Sequence, residues 1–315
     1  MPVNNSLVTQ QQAENNLPFS TVINSVPYQK LISQTLKDRN TANRFISSIV
    51  SAVSTTPALQ SCTPKTIVSA ALLGEALKLS PSPQLGQFYL VPFKQKEKRD
   101  KNGRVVAEAC TNATFVLGYK GYIQLATRSG EYKRINAMPI KEGELVDYNP
   151  FDDDITLQYT DNEELRATLS TIGYYAMFEY HNGFKKVMYW SKEKMIAHAA
   201  AYSPAFSAEG LKALESGKVP QNELWKYSSF WYKDFDGMAC KTMLRQLISK
   251  WGLMSVEMQK AFDADGGVIG DNGEITFSDS ERETEQQQPQ PDNIIDAEVV
   301  TEPEAEESFA DMLGG

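Results

Sequence analysis

From Gly118 to Ile135 the chain reads GYKGYIQLATRSGEYKRI. Tyr119, Tyr122, Ile123 and Ala126 fall at i, i+3, i+4 and i+7, the spacing of one apolar helical face. Lys120, Gln124 and Arg128 fall four apart on the other side. Gly130 stands where a left-handed C-terminal turn satisfies the last carbonyls without a Cβ penalty, so the spacing predicts a short helix that stops there. Glu131 to Pro139 then reads as extended and brings Lys133 and Arg134 beside the helix's basic row. A solvated basic face and a polyanion-binding corner both fit this pattern.

Upstream, apolar positions at Tyr28, Ile32, Leu36, Phe45, Ile46, Ile49, Val50 and Val53 predict a helical stretch that Asn40 and Thr41 divide. Thr63 followed by Pro64 predicts an N-cap and first helical position for a helix to about Leu77. Gln87 to Phe93 and Ala107 to Leu117 have strand composition and flank the polar segment Lys94 to Arg104, which predicts a hairpin with a long basic tip. Glu144 to Gln158 reads as acidic and irregular. Arg166 to Tyr180 and Gly183 to Trp190 alternate about Asn182 and Gly183 as a second hairpin. Ser191 is expected to cap a helix through Ala200.

Asn222 to Lys250 reads as one long helix. Its core row is Leu224, Ser228, Trp231, Phe235, Met238 and Thr242, and a second row holds Lys233, Gly237, Lys241 and Arg245. Gly237 in that row implies close approach of a backbone, of a ligand or of another helix. The fold class expected is α+β, a small antiparallel sheet and β-hairpins packed on helices. The organisation expected is a disordered arm over 1–25, a core over 26–260 and an acidic disordered tail over 261–315. Ser308 to Leu313 (SFADML) is an apolar patch within that tail, suited to docking on a partner or a product of chance.

Charge sharpens this division. The chain of 315 residues carries 40 acids and 31 bases, a formal net charge of −9. Sixteen of the acids and one base lie after residue 260, leaving 24 acids against 30 bases before it. A basic body with an acidic appendage implies a polyanion partner, with the tail as competitor or interaction arm. If the tail competes, truncation after Phe262 is expected to raise affinity for that polyanion. Cys62, Cys110 and Cys240 fit no metal or disulfide spacing and read as reduced thiols, and His181 and His198 fit no common zinc spacing. With neither a leader pattern nor a membrane-spanning run, a cytoplasmic protein is expected.

Signatures of enzymes are missing from the sequence. It has no GxxxxGK[ST] phosphate loop, GxSxG elbow, HExxH or EF-hand spacing. Asp152, Asp153 and Asp154 suit either a divalent cation or a solvated acidic loop, and consecutive residues point in different directions.

Three ordered segments carry a resemblance. CTPKTIVSAALLGEALKLSPSPQLGQFYLVPF, GYKGYIQLATRSGEYKRINA and KDFDGMACKTMLRQL resemble motifs of the RecT family of phage and prophage single-strand annealing proteins, over roughly Tyr28 to Trp251. Lys78, Ser80, Trp251 and Gly252 depart from the family pattern and leave the basic positions intact. The resemblance implies a fold related to the ring-forming eukaryotic annealing proteins, with subunits side by side in rings or helical filaments. It also implies annealing of complementary single strands without ATP, in phage recombination beside an exonuclease. A host single-strand binding protein is a further expected partner of the C-terminal region. No cofactor is expected, with Mg²⁺ entering only as a DNA counterion.

An annealer must neutralise phosphate and leave base edges free, which a row of Lys and Arg does without reading sequence. The expected phosphate contacts are Lys94, Lys96, Lys120, Arg128, Lys133, Arg134, Lys241 and Arg245. Tyr89 and Phe93 are candidates to stack on bases, whereas Tyr119 and Tyr122 fit core packing on the apolar face. The alternatives are a single-strand DNA-binding scaffold that coats without annealing, or a metal-dependent DNA-processing enzyme built on Asp152 to Asp154.

Overall fold

The computed structural model describes residues 17–99, 103–270 and 273–277. Most of the expected arm, the turn at the first hairpin's tip and the SFADML patch lie outside these residues. Helices α1 (Phe19–Ile23), α2 (Val26–Leu36) and α3 (Arg39–Thr55) open the described chain. The predicted helical stretch divides at Lys37, whose φ is 56°, and at Asp38, whose carboxylate accepts the Thr41 amide at 2.7 Å. The break is thus a capping event just before Asn40. Phe19, Val22 and Ile23 are buried, so the expected arm ends in a core-packed helix.

Helix α4 (Pro64–Ala76) starts on its proline as expected. Thr63 holds the cap position, but its hydroxyl makes no cap bond and instead faces the Thr111 carbonyl at 3.3 Å, while its amide donates to the same carbonyl at 2.7 Å. The helix start is therefore tied to the neighbouring strand.

Strands β1 (Phe88–Gln95) and β4 (Cys110–Leu117) pair antiparallel, Phe88 opposite Leu117, with β2 (Lys98–Arg99) and β3 (Val105–Ala107) continuing toward the tip. Pro92, which lacks a donor, is accommodated because β1 is an edge strand. Helix α5 (Tyr119–Ser129) follows, ending on Gly130 at φ 78° as the sequence predicts. Next come β5 (Tyr132–Lys141), β6 (Leu145–Asn149), β7 (Asp154–Leu157), α6 (Glu163–Thr168), β8 (Thr171–Tyr180) and β9 (Lys185–Ser191). Strands β5, β8 and β9 form the second sheet, and the expected hairpin turns at Asn182 and Gly183.

Two local expectations change here. The segment expected to be irregular is the β6–β7 hairpin, and residues 163–168 are helical before β8 begins. Glu144 explains both. Its buried carboxylate accepts from the Lys141 and Thr160 amides and from Arg166 at 2.7 Å, tying the hairpin and α6 together. Burial alone would raise this carboxyl, but Arg166 and the two amides bring it down to about 2.

After α7 (Lys192–Tyr202), capped by Ser191 as expected, come α8 (Ala208–Glu215) and a 3₁₀ turn at Gln221–Tyr227. Then α9 (Phe230–Lys233), α10 (Phe235–Trp251), α11 (Val256–Ala264), β10 (Gly267–Ile269) and β11 (Ile275–Thr276) complete the chain. The long helix expected over 222–250 is therefore three pieces. Ser229 caps α9 and Asp234, at φ −148°, caps α10, because short polar side chains compete for helix-start amides. Leu224 of the expected core row is exposed. A Cβ on Gly237 would meet the Asp234 carboxylate at 2.2 Å, so this glycine makes room for the cap of its own helix.

Strand β10 pairs with β4 and extends the first sheet, while α10 packs on α5, β5 and β8. One hydrophobic cluster results, with Phe88, Phe115, Tyr122, Tyr174 and Phe178 fully buried. The division expected after residue 260 falls inside α11, whose Ala261, Phe262 and Ala264 are buried. The fold is α+β, small antiparallel sheets and hairpins packed on helices, as the sequence predicts. Among the described residues, no helix is long and apolar enough to cross a membrane.

Candidate nucleic-acid interface

Two glycines set the geometry of α5. A Cβ on Gly118 would lie 2.2 Å from the Gly86 carbonyl oxygen, and one on Gly121 would lie 2.1 Å from that of Gln87. Only glycine lets the first helical turn rest on the backbone of the strand entry, where the Gly118 amide donates to Gln87 at 2.9 Å. That seating places Tyr119 and Lys120 at the surface beside β1. Lys120 is exposed, its stem runs past Gly86, and its Nζ lies 6.0 Å from the Tyr119 ring centre. Gln124 and Arg128 continue the exposed row, whereas Tyr122 and Ala126 are buried on the opposite side.

Strand alternation puts Phe88 and Leu90 into the core and Tyr89, Val91 and Phe93 on the other face of β1, each half-buried. The Tyr89 ring sits 5.6 Å from Phe230 of α9. Burial, and then the Asp234 carboxylate, raise the Tyr89 phenol, so it stays a neutral hydrogen-bond donor at neutral pH. Lys94 and Lys96 are exposed at the far end of the same strand. Tyr89 and Phe93 therefore share one face of the first hairpin, with Lys120 beside Tyr89 at Gly86, whereas Lys94 by the same alternation projects from the opposite face and Lys96 lies just past the strand's end.

At the other end of α5, Lys133 and Arg134 share Glu179, at 2.5 and 3.6 Å. Both remain largely solvent-exposed. They line a groove of about 550 Å³ between α5 and the second sheet, with Ile123, Thr127, Tyr175 and Met177. Two cations around one carboxylate leave this groove with a net positive rim.

The remaining three candidates hold the structure together. Arg128 donates to the Leu77 carbonyl at 2.6 Å and to that of Lys78 at 3.3 Å, supplying donors to the exposed end of α4. Lys241 and Arg245 turn inward to Asp265, each at 2.9 Å. That carboxylate also accepts from the Leu117 amide and the Tyr122 hydroxyl, both at 2.8 Å. Burial alone would raise the Asp265 carboxyl, but Lys241 and Arg245 outweigh it and hold it below its ordinary value. The side chain of Lys241 is 13% exposed and that of Arg245 31%, so what reaches solvent from this cluster is one net positive charge, nearest Arg245.

Sequence reasoning missed Asp265, Glu144 and Phe230. Asp265 lay in the segment read as tail, although Ala261, Phe262 and Ala264 beside it mark the last helical face. The three aspartates at 152–154 diverge, Asp153 pairing with Lys186 at 2.7 Å and Asp152 accepting from Asn149. No group of three or more potential metal ligands occurs among the described residues. Burial pushes the Cys62 and Cys240 thiols up to about 12, so both are unreactive thiols at neutral pH.

Comparison with known proteins extends beyond the three motifs. The chain is 37% identical over 220 residues to the uncharacterized protein YqaK of Bacillus subtilis, a match covering 70% of this chain and 63% of YqaK. It thus spans less than two thirds of that relative. It is 27% identical over 253 residues to the protein RecT of Escherichia coli, covering 80% of this chain and 82% of RecT. The profile of the RecT family matches residues 43–287, from within α3 through both sheets, α5, α10 and the strand pair after Asp265. On that match, which takes in the glycine-seated helix and the buried charge cluster alike, this chain belongs to the RecT family.

Proposed function

We propose that this protein anneals complementary single strands of DNA without ATP, as part of phage-type homologous recombination. Family membership carries this reading. Its physical support is a set of exposed cations, of which Lys120 lies beside the half-buried Tyr89. Lys94, Lys96, Lys120, Lys133 and Arg134 meet phosphate, while Tyr89 and Phe93 offer ring surface to bases, a contact worth about 1–3 kcal/mol per base. None of these groups is arranged to distinguish one base edge from another. Arg128, Lys241 and Arg245 hold the corner that presents the others, and Arg245 adds to the positive field.

A short helix and one strand edge cover few nucleotides, so the reading includes a homo-oligomer, ring or filament, that holds an extended strand across several subunits. Trp251, Leu253, Met254 and Val256 are exposed large apolar residues clustered between α10 and α11, a surface suited to contact between copies. In this reading the protein works in the bacterial cytoplasm. It is no enzyme, its C-terminal region recruits an exonuclease or a host single-strand binding protein, and it meets Mg²⁺ only as DNA's counterion.

The test is the rate at which two complementary labelled oligonucleotides pair without ATP, with the wild type and with the Lys94→Glu/Lys96→Glu/Lys120→Glu variant. Acceleration by the wild type that is lost in the variant supports the reading. Tight binding with no acceleration would replace it with a coating protein. Loss of a labelled strand on adding Mg²⁺ would replace it with a processing enzyme.

A further inference from the structure

Helix α9 is a single turn whose first three residues, Phe230, Trp231 and Tyr232, are all aromatic and divide between two neighbourhoods. Trp231 is buried, its ring 5.8 Å from Phe206 and 5.2 Å from Phe235. Tyr232 packs on Phe206 and on Tyr227, each at 5.0 Å. Phe230 turns away from that cluster. It is 42% exposed, and its ring lies 5.6 Å from Tyr89 of β1 at a tilt of 40°. One exposed apolar residue is ordinary on a protein surface, so its surroundings decide its meaning.

Two pairs of a ring and a cation meet at this place. A Cβ on Gly86 would lie 3.2 Å from the Tyr89 hydroxyl and 3.4 Å from the Lys120 stem, so that ring and that lysine share one small patch. Phe230 and Lys233 stand three apart on α9, the separation that sets two side chains on one side of a helix. Lys233 is exposed, and the acid that follows it, Asp234, turns its carboxylate to the Gly237 amide at 2.9 Å. A nucleotide presents one flat base and one phosphate, and each pair supplies one ring and one cation. An apolar protein partner seated here would have to desolvate both lysines, a cost that a phosphate-bearing strand does not incur.

We infer that Phe230 is a base-stacking residue of the DNA site, brought to β1 by a segment distant in sequence, and that the exposed side of its ring receives the base. The rings of Tyr89 and Phe230 are already in contact, so the base lies on Phe230 rather than between the two. The caps at Ser229 and Asp234 set α9 apart as one turn, and that turn presents Phe230 to β1. The inference rests on the proposed binding of single-stranded DNA and is independent of annealing.

Binding of the full chain to a short dT oligonucleotide, and to an abasic strand of the same length, tests this. Phe230→Leu keeps an apolar contact with Tyr89 and removes the ring, while Phe230→Trp keeps a ring. The leucine variant is expected to bind dT about tenfold more weakly and the abasic strand as the wild type does. Its slope of log affinity against log salt should be unchanged, because no charge is lost. The tryptophan variant is expected to bind dT as the wild type does, with an added emission that dT quenches and the abasic strand does not. Equal dT affinity of the leucine variant and the wild type overturns the inference, as does an equal loss on the abasic strand. A lower salt slope would mean that Phe230 acts by placing a lysine, and a changed oligomer mass without DNA would assign the ring to contact between copies; either result overturns it. A wild type that binds neither strand overturns it together with the proposed function. The expected affinities without accelerated pairing support it while removing annealing alone.

Discussion

Helices α5 and α10 each carry two cations on one stripe, Lys120 with Arg128 and Lys241 with Arg245, and their fates differ. Lys120 stands in solvent, whereas Lys241 and Arg245 converge on the buried carboxylate of Asp265. A row of basic residues four apart therefore says that charges share a face, and the packing of that face decides whether they meet phosphate or a partner inside the protein. The cost of error is unequal. Removing an exposed charge shifts stability little, while leaving a buried charge unpaired costs several kcal/mol.

The largest effect that would break this contrast is at Asp265. Asp265→Ala removes the carboxylate shared by the largely buried Lys241 and by Arg245 and is expected to cost about 3–5 kcal/mol, read as a fall in the urea midpoint. A midpoint equal to the wild type's would mean the cluster is structurally idle. Because the Asp265 carboxyl is held below its ordinary value, its contribution is present above about pH 4 and disappears as pH falls through that lower value.

Next comes a half-buried base whose charged neighbours are lysines. His198 packs between Trp190 and Tyr202, and burial, then Lys194 and Lys250, lower its pKa to about 4 from 6.5. The unfolded chain takes up this proton first, so stability declines from pH 6.5 toward 4, by up to about 3 kcal/mol. Thermal midpoints across that window should flatten in His198→Phe, and an unchanged slope would assign the decline to another group.

Gly121→Ala probes the seat of α5. A Cβ 2.1 Å from the Gln87 carbonyl forces the helix off the strand entry, at an expected cost of about 1–3 kcal/mol with weakened DNA binding, because Lys120 moves with it. Full stability by calorimetry would show that the contact relaxes freely. Smallest in stability is Lys120→Ala, expected within about 0.5 kcal/mol of the wild type. Its signature lies in binding, where the slope of log affinity against log salt should fall by about one for any sequence of single strand. An unchanged slope would take Lys120 out of the interface.

The same contrast moves the boundary for testing the acidic tail. A cut after Phe262 removes Asp265 and strand β10 and so reports on folding. A cut after Phe277 spares both. With the cut there, higher DNA affinity at low salt is the result expected of a competing tail.

Local signals were legible where one residue's chemistry suffices. The α5 boundaries followed from apolar spacing and from Gly130, α4 from Pro64, and the second hairpin from Asn182 and Gly183. The exposed cations Lys94, Lys96 and Lys120 were legible too, being polar positions of amphipathic elements. Reading failed where a side chain's partner is distant in sequence. Glu144 looked like part of an acidic loop because Arg166, 22 residues on, gives no local sign of pairing with it. Residues 222–250 looked continuous because apolar spacing persists across the caps at Ser229, which starts α9, and Asp234, which ends α9 and starts α10.

The sequence by itself determined the α+β pattern, helix α5 with its stop at Gly130 and the family, because periodicity, capping and motif order are properties of neighbours along the chain. Only the tertiary structure decided which cations are spoken for, and that the last helix and β10 belong to the core. Leu117, Tyr122, Lys241 and Arg245 are brought to Asp265 across separations of up to 148 residues. A buried carboxylate is stable only where such donors converge, and that convergence exists only in the folded chain.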